Sequence, residues 1–115
     1  MDSTTIAAIS TGLTPSGIGI VRISGNDALS IIDKIFKTKK NIKVSEGESH
    51  KAYYGHILSG DEVIDEVIVL VMRAPHTYTK EDTVEINCHG GIVVMKKILD
   101  TVIQNGATPA SPGGG

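Results

Sequence analysis

Cysteine and aromatic residues are scarce in this chain. Its 115 residues include one cysteine, one phenylalanine, three tyrosines and no tryptophan. A single cysteine cannot close an internal disulfide, so a disulfide-stapled scaffold is excluded and a reducing compartment is the simplest setting. The aromatics, Phe36, Tyr53, Tyr54 and Tyr78, are too few for the stacking platforms that bind single-stranded nucleic acid. Positive charge is not in excess either. There are 11 Lys and Arg against 13 Asp and Glu, a formal net charge of -2. Apart from a short run from Lys37 to Lys43 the basic residues are scattered, so no direct nucleic-acid binding is expected. That run reads more simply as a solvated helix end than as an anion-binding patch. No long apolar run is present, and the opening Met1-Asp2-Ser3-Thr4 is neither basic nor followed by an apolar stretch. Neither a signal peptide nor a membrane segment is expected, which points to a cytoplasmic protein.

Motifs for common chemistries are missing as well. His50, His56, His76 and His89 are spread along the chain, and no His, Cys, Asp or Glu group has zinc-ligand spacing. There is no nucleophile elbow and no Walker loop. Gly17-Ile18-Gly19 is not a dinucleotide fingerprint, because no helix starts there. The expectation is therefore no metal site and no catalytic constellation within this chain.

What is present suits one domain, with a sheet and a helical layer. Residues 4–10 read as a first strand. Thr14-Pro15-Ser16-Gly17 is a turn signal, and residues 18–24 read as a second strand paired with the first. Asn26 is a suitable N-cap for a helix to about residue 37, in which Ala28, Leu29, Ile31, Ile32, Ile35 and Phe36 recur at helical spacing. Residues 41–49 look irregular. Residues 51–58 and 63–73 flank Ser59-Gly60-Asp61-Glu62 as a hairpin. Val67 to Met72 is apolar at every position, as in a central strand. Residues 74–80 read as a loop and Thr83 to Cys88 as the fifth strand. Gly91 to Gln104 is an amphipathic helix with Ile92, Met95, Ile98 or Leu99, Val102 and Ile103 on one face, stopped by Asn105-Gly106. The order β-β-α-β-β-β-α describes an α+β domain, a mixed sheet of about five strands with two helices. Residues 1–108 form the domain in this reading. Residues 109–115, Pro109-Ala110-Ser111-Pro112-Gly113-Gly114-Gly115, form a disordered tail or linker stub.

Strand alternation organises the polar residues. With the helices laid on Val21, Ile23, Val84, Ile86 and Cys88, the residues Arg22, Thr83, Glu85 and Asn87 share the opposite face with Ile18 and Ile20. Carboxylates are depleted from strand interiors, so an embedded Glu85 requires either water or a partner. A half-apolar, half-charged face suits a flat heteroaromatic ligand or a partner subunit. The plainer reading is a cross-strand salt bridge between Arg22 and Glu85. His89-Gly90-Gly91 at a helix start is anion-friendly, yet a tight strand-to-helix turn needs the same glycines. Cys88, on the core face, reads as a buried structural thiol.

Four segments carry a resemblance. They are Thr5-Ile6-Ala7-Ala8-Ile9-Ser10-Thr11, Gly17-Ile18-Gly19-Ile20-Val21-Arg22-Ile23-Ser24-Gly25, Met72-Arg73-Ala74-Pro75-His76-Thr77-Tyr78-Thr79-Lys80-Glu81-Asp82 and Val84-Glu85-Ile86-Asn87-Cys88-His89-Gly90-Gly91. In this order and spacing they closely resemble the N-terminal domain of the MnmE (TrmE) tRNA-modification GTPases, from about Thr5 to Gly106. The resemblance implies a fold like half of an aminomethyltransferase-type folate-binding domain. It implies a homodimer that binds a tetrahydrofolate derivative, the 5-formyl or 5,10-methylene form, near the dimer interface. It places the family's folate-contacting arginine on Arg22 and its folate-contacting glutamate on Glu85. For the full-length family it also implies wobble-uridine modification of tRNA, with tRNA and the FAD-dependent MnmG protein as partners.

The chemistry is consistent with that carry-over. A carboxylate accepts the adjacent amino group and ring N–H of a pterin in a bidentate contact, and a guanidinium holds a carboxylate of the glutamate tail or a pterin-side oxygen. The family's helical domain, GTPase domain and C-terminal cysteine motif have no counterpart here, and Cys88 is not that cysteine. The chain alone is therefore expected neither to hydrolyse GTP nor to modify tRNA. A basic residue that completes the family's folate site further on has no counterpart either. The competing expectation is a dimerisation module that binds no small molecule.

Overall fold

The computed structural model describes residues 4–10, 19–47, 49–74 and 81–110. Its elements are β1 (Ile6–Ile9), β2 (Gly19–Ser24), α1 (Ala28–Ile35), β3 (Phe36–Lys37), a 3₁₀ turn (Val44–Glu46), β4 (Lys51–Ser59), β5 (Glu62–Met72), β6 (Thr83–Cys88), α2 (Gly91–Gln104) and β7 (Thr108–Pro109). The strands form one seven-stranded sheet in the order β3-β4-β5-β6-β2-β1-β7. Every pairing is antiparallel except β1 with β7, so the sheet is mixed. The class is the expected α+β. The two additional strands, β3 and β7, are only two residues long each. Strands that short carry no alternation for sequence reading to detect. The turn expected over Thr14 to Gly17, the position of Ile18 and most of the 74–80 loop lie outside the described residues.

Alternation decides which face is covered. Val21, Ile23, Val84, Ile86 and Cys88 are fully buried, and both helices lie on that face. Val67, Val69 and Val71 of β5 join them. α1 contributes Ala28, Leu29, Ile31, Ile32 and Ile35, and α2 contributes Met95, Ile98, Thr101 and Val102. The alternate β5 residues Ile68, Leu70 and Met72 face the other way and are half-buried or exposed. A continuous apolar run predicts a strand covered on both faces, and β5 is central, but no described element covers its second face. Ile92, expected on the buried stripe of α2, is instead exposed.

The start of α1 differs from the N-cap expected at Asn26. The cap position is Asp27, without a side-chain cap bond. The Asp27 N–H instead donates to Thr5 Oγ1 at 2.9 Å, from a buried threonine beside the first strand. Gly25, at φ 142°, makes this approach possible, because a Cβ there would lie 2.6 Å from Thr5 Cα. The helix ends at Ile35, and Lys37 belongs to β3. The end of α2 matches expectation. Asn105 is the C-cap, Gly106 takes φ 126°, and the Ala107 N–H reaches back to the Val102 carbonyl. The chain then pairs with β1, through Thr108 N–H to Thr5 O at 2.8 Å and Ala110 N–H to Ala7 O at 3.0 Å. Pro109, read from sequence as tail, is thus half of an edge strand. Proline is tolerated there because an edge leaves one N–H unused.

Gly19 lies in close contact with α2. A Cβ at this position would sit 1.9 Å from Met95 Sδ. Gly19→Ala should therefore cost about 1–3 kcal/mol by overpacking, and Met95→Ala about 2–5 kcal/mol by cavity formation. Combined, they should cost less than the sum, by about 0.5–3 kcal/mol, because the new methyl enters the vacated space. Urea denaturation of the four proteins measures this coupling, and strict additivity would contradict the packing described.

Candidate functional site

The face of the sheet opposite the helices is built in rows, because antiparallel partners stand directly opposite one another. The middle row runs Ala8, Arg22, Glu85, Leu70 across β1, β2, β6 and β5. The row beside it runs Ile20, Asn87, Ile68, Tyr54 across β2, β6, β5 and β4. The row on the other side runs Ile6, Ser24, Thr83, Met72. One cation and one anion thus lie side by side at the centre of a surface that mixes apolar and polar side chains.

Arg22 and Glu85, the two residues singled out from sequence, are brought together. Arg22 Nε donates to Glu85 Oε2 at 3.0 Å, and the terminal nitrogen Nη2 donates to the same oxygen. Both donors converge on Oε2, and Oε1 accepts no hydrogen bond from the described residues. Their side chains are 46% and 14% exposed. A half-exposed pair of this kind contributes roughly 0.2–1 kcal/mol, too little to explain by stability alone why two charges occupy the middle of this face. The arrangement leaves chemical capacity. Glu85 retains an acceptor oxygen for a neighbouring pair of N–H donors, and Arg22 can turn its fork toward an incoming anion.

Two other face residues are committed to structure. Asn87 Nδ2 donates to the Ile68 carbonyl at 3.1 Å, and Thr83 is buried with its hydroxyl on the Glu81 carbonyl at 3.3 Å. Ile18 lies outside the described residues. Arg73 clamps the segment before β4: its Nε donates to Gly47 O at 3.0 Å, its Nη2 to Ser45 O, and its backbone N–H to Ser49 Oγ. Asp82 accepts the Ala74 N–H on Oδ1 and the Gly25 N–H on its carbonyl. The Gly90-Gly91 pair follows from geometry. Gly91 has φ 82°, and a Cβ at Gly90 would lie 2.4 Å from Val94 Cγ2.

Sequence reading missed one polar group on the outer face. Tyr54 donates its hydroxyl to Glu66 Oε2, whose nearest basic neighbour is His56 Nε2 at 3.9 Å. That hydrogen bond is the main reason the phenol is held above its ordinary pKa. The signal lay in the hairpin register, which sets His56 opposite Glu66 and Tyr54 opposite Ile68. Among the described residues no group of His, Cys, Asp and Glu is placed to hold a metal ion, and no helix is long and apolar enough to cross a membrane.

Comparison with known proteins converges on one family. The family described as the GTP-binding protein TrmE N-terminus matches residues 5–114. The chain is 56% identical over 114 residues to a tRNA modification GTPase MnmE of Lachnoclostridium phytofermentans, covering 98% of this chain and 25% of the relative. It is 58% identical over 111 residues to the protein of that name in Thermoanaerobacter pseudethanolicus, covering 95% and 24%. It is 54% identical over 113 residues to that of Listeria welshimeri, covering 98% and 24%. The chain spans about a quarter of the length of these relatives.

Cys88 is chemically quiet. It ends β6 fully buried, with its thiol on the Ile86 carbonyl at 3.4 Å. Burial, reinforced by the nearby Asp65 charge, pushes its pKa up to about 12. A thiol whose folded pKa is raised stabilises the fold fully below its unfolded value, near 8.5, and loses that contribution as pH climbs toward the folded value. Stability should therefore fall from about pH 9 upward, and Cys88→Ala should flatten that alkaline slope in urea titrations. The native thiol should resist a disulfide reagent at pH 8 and react on unfolding. Rapid native-state labelling would contradict the assignment.

Proposed function

This chain belongs to the family of TrmE N-termini, and from that premise we propose that it is the tetrahydrofolate-binding and homodimerisation domain of a GTPase that modifies the wobble uridine of tRNA. The observation that carries the proposal is the Arg22–Glu85 pair, central on a sheet face that no described element covers. A pterin is flat and presents adjacent N–H donors. Ile20, Leu70 and Ile68 offer it apolar contact, and Glu85, with Oε1 still open among the described residues, offers it a carboxylate. Arg22 is left for a carboxylate of the glutamate tail or an oxygen on the pterin. The ligand is the 5-formyl or 5,10-methylene form of tetrahydrofolate. When bound, it supplies a one-carbon unit. The role of this chain is to bind and orient it, since no catalytic group is assigned to these residues. In the full-length protein the partners are tRNA and the FAD-dependent MnmG protein.

The dimer follows from the same face. Ile6 and Ile68 are each 41% exposed, with Leu70 and Met72 half-buried between them. A patch of this kind seldom stays bare on a monomer, and a twofold copy is the economical cover. Light scattering at micromolar concentration should give twice the chain mass, and Ile68→Glu should halve it. A monomeric parent would contradict the proposal.

A second reading has its own support. Arg22 already donates twice to Glu85 Oε2, so a ligand must compete with the ion pair. On that reading the chain is a dimerisation module only. Calorimetric titration with 5-formyltetrahydrofolate separates the two. Glu85→Ala should weaken binding by about 1.5–3 kcal/mol, roughly 10- to 150-fold. Arg22→Ala should cost a similar amount, and Arg22→Lys should keep part of the affinity because the fork is lost but the charge is not. Melting temperatures should change little, since neither side chain packs in the core. Measurable binding by the parent that both alanine variants retain would place the ligand elsewhere.

A further inference from the structure

A second feature of the outer face lies at the β3 edge of the sheet. β3 pairs with β4 at Phe36–Ile57 and Lys37–His56 only. The chain then peels away through a turn in which the Asn41 N–H reaches Thr38 O at 3.1 Å, the Ile42 N–H reaches Thr38 Oγ1 at 2.9 Å, and Asn41 takes φ 56°. Between this turn and β4 lies an open cleft of about 590 Å³. Its floor is Tyr54, Leu58 and Val63, and its rim carries Lys37, Lys39 and His56. No carboxylate lines it, although the chain as a whole is acidic, at -2. The floor is preset. The Glu66 carboxylate engages the Tyr54 hydroxyl, and the phenol ring packs edge-on to His56 with centroids 6.1 Å apart.

We propose that this cleft docks an acidic, apolar-bearing segment of a partner protein, with carboxylates of the segment meeting Lys37 and Lys39 and its apolar side chains filling the floor of Tyr54, Leu58 and Val63. The proposal goes beyond the folate reading and does not rest on it. Charge complementarity selects the occupant. Two ammonium groups, against one neighbouring carboxylate, Glu66, that the Tyr54 hydroxyl already engages, favour an anionic partner. The apolar floor distinguishes a peptide from a nucleic acid, because a phosphate backbone gains nothing from Leu58 and Val63. No arginine lines the cleft to fork a phosphate, and Glu66 at the edge of the floor repels a polyanion more than it does a peptide whose charges are spaced by apolar residues.

The test is fluorescence anisotropy on this chain with four labelled probes: a decapeptide alternating Glu and Leu, its Lys and Leu counterpart, a glutamate decapeptide and a uridine decanucleotide. The Glu and Leu peptide should saturate in the micromolar range and bind more tightly than the other three. Lys37→Glu combined with Lys39→Glu should weaken it roughly 5- to 30-fold, the loss of two rim ion pairs. Val63→Asp should weaken it comparably, while Glu85→Ala should leave it unchanged. Circular dichroism checks that the variants fold, and the corresponding Gln substitutions replace the reversals if they do not. Absence of saturable binding, insensitivity to the lysine substitutions, tighter binding of the decanucleotide, equal binding of the glutamate decapeptide, or release of a dimer in step with peptide binding would each overturn the proposal.

Discussion

The structure depends on the register between β2 and β6. Six consecutive partners, from Gly19 opposite Cys88 to Ser24 opposite Thr83, place four β-branched side chains under the helices and both charges on the far side. Because side chains alternate with a period of two, a slip of one residue would turn Val21, Ile23, Val84 and Ile86 out to water and carry Arg22 and Glu85 into the core. Burying those two charges without water would cost several kcal/mol per ion. The hydrophobic pattern and the ion pair therefore specify the same register, and the candidate site follows from the alignment that builds the core.

The helices complete the consequence. Both occupy one face, so the sheet has a helix-covered side and a side that no described element covers. Gly19 lets Met95 approach the backbone, and Gly55 does the same for the β3 edge, where a Cβ would lie 2.3 Å from Lys37 O. Glycine is thus spent where elements meet closely. The outer face then carries the paired charges, the apolar side chains of Ile20, Ile68 and Leu70 around them, and the lysine-rimmed cleft beside β3.

Much of this arrangement was legible in the sequence, and the reason is periodicity. Thr83 to Cys88 and Gly91 to Gln104 are found at the expected bounds, because strict alternation and a helical stripe are strong local signals. Arg22 and Glu85 could be placed on one face from alternation alone. The misses have physical causes. The N-terminus of α1 is satisfied by Thr5, a residue 22 positions away, which no local capping rule detects. β7 exists because β1 offers it an edge, and Thr108–Pro109 has no strand character of its own. The contact between Tyr54 and Glu66 depends on a hairpin register with an irregularity between Ile57 and Leu58, which residue types do not reveal. The proposed folate-facing roles of Arg22 and Glu85 rest on the family resemblance, since a cross-strand ion pair reads the same with or without a ligand.

The most direct test of the account is amide chemical-shift mapping of the isotope-labelled chain during addition of 5-formyltetrahydrofolate. The account predicts the largest changes at Arg22, Glu85 and Leu70, with smaller ones at Ile20 and Ile68, and near silence along α1 and α2. Saturating changes confined to the helical side, or no change at millimolar ligand, would contradict it.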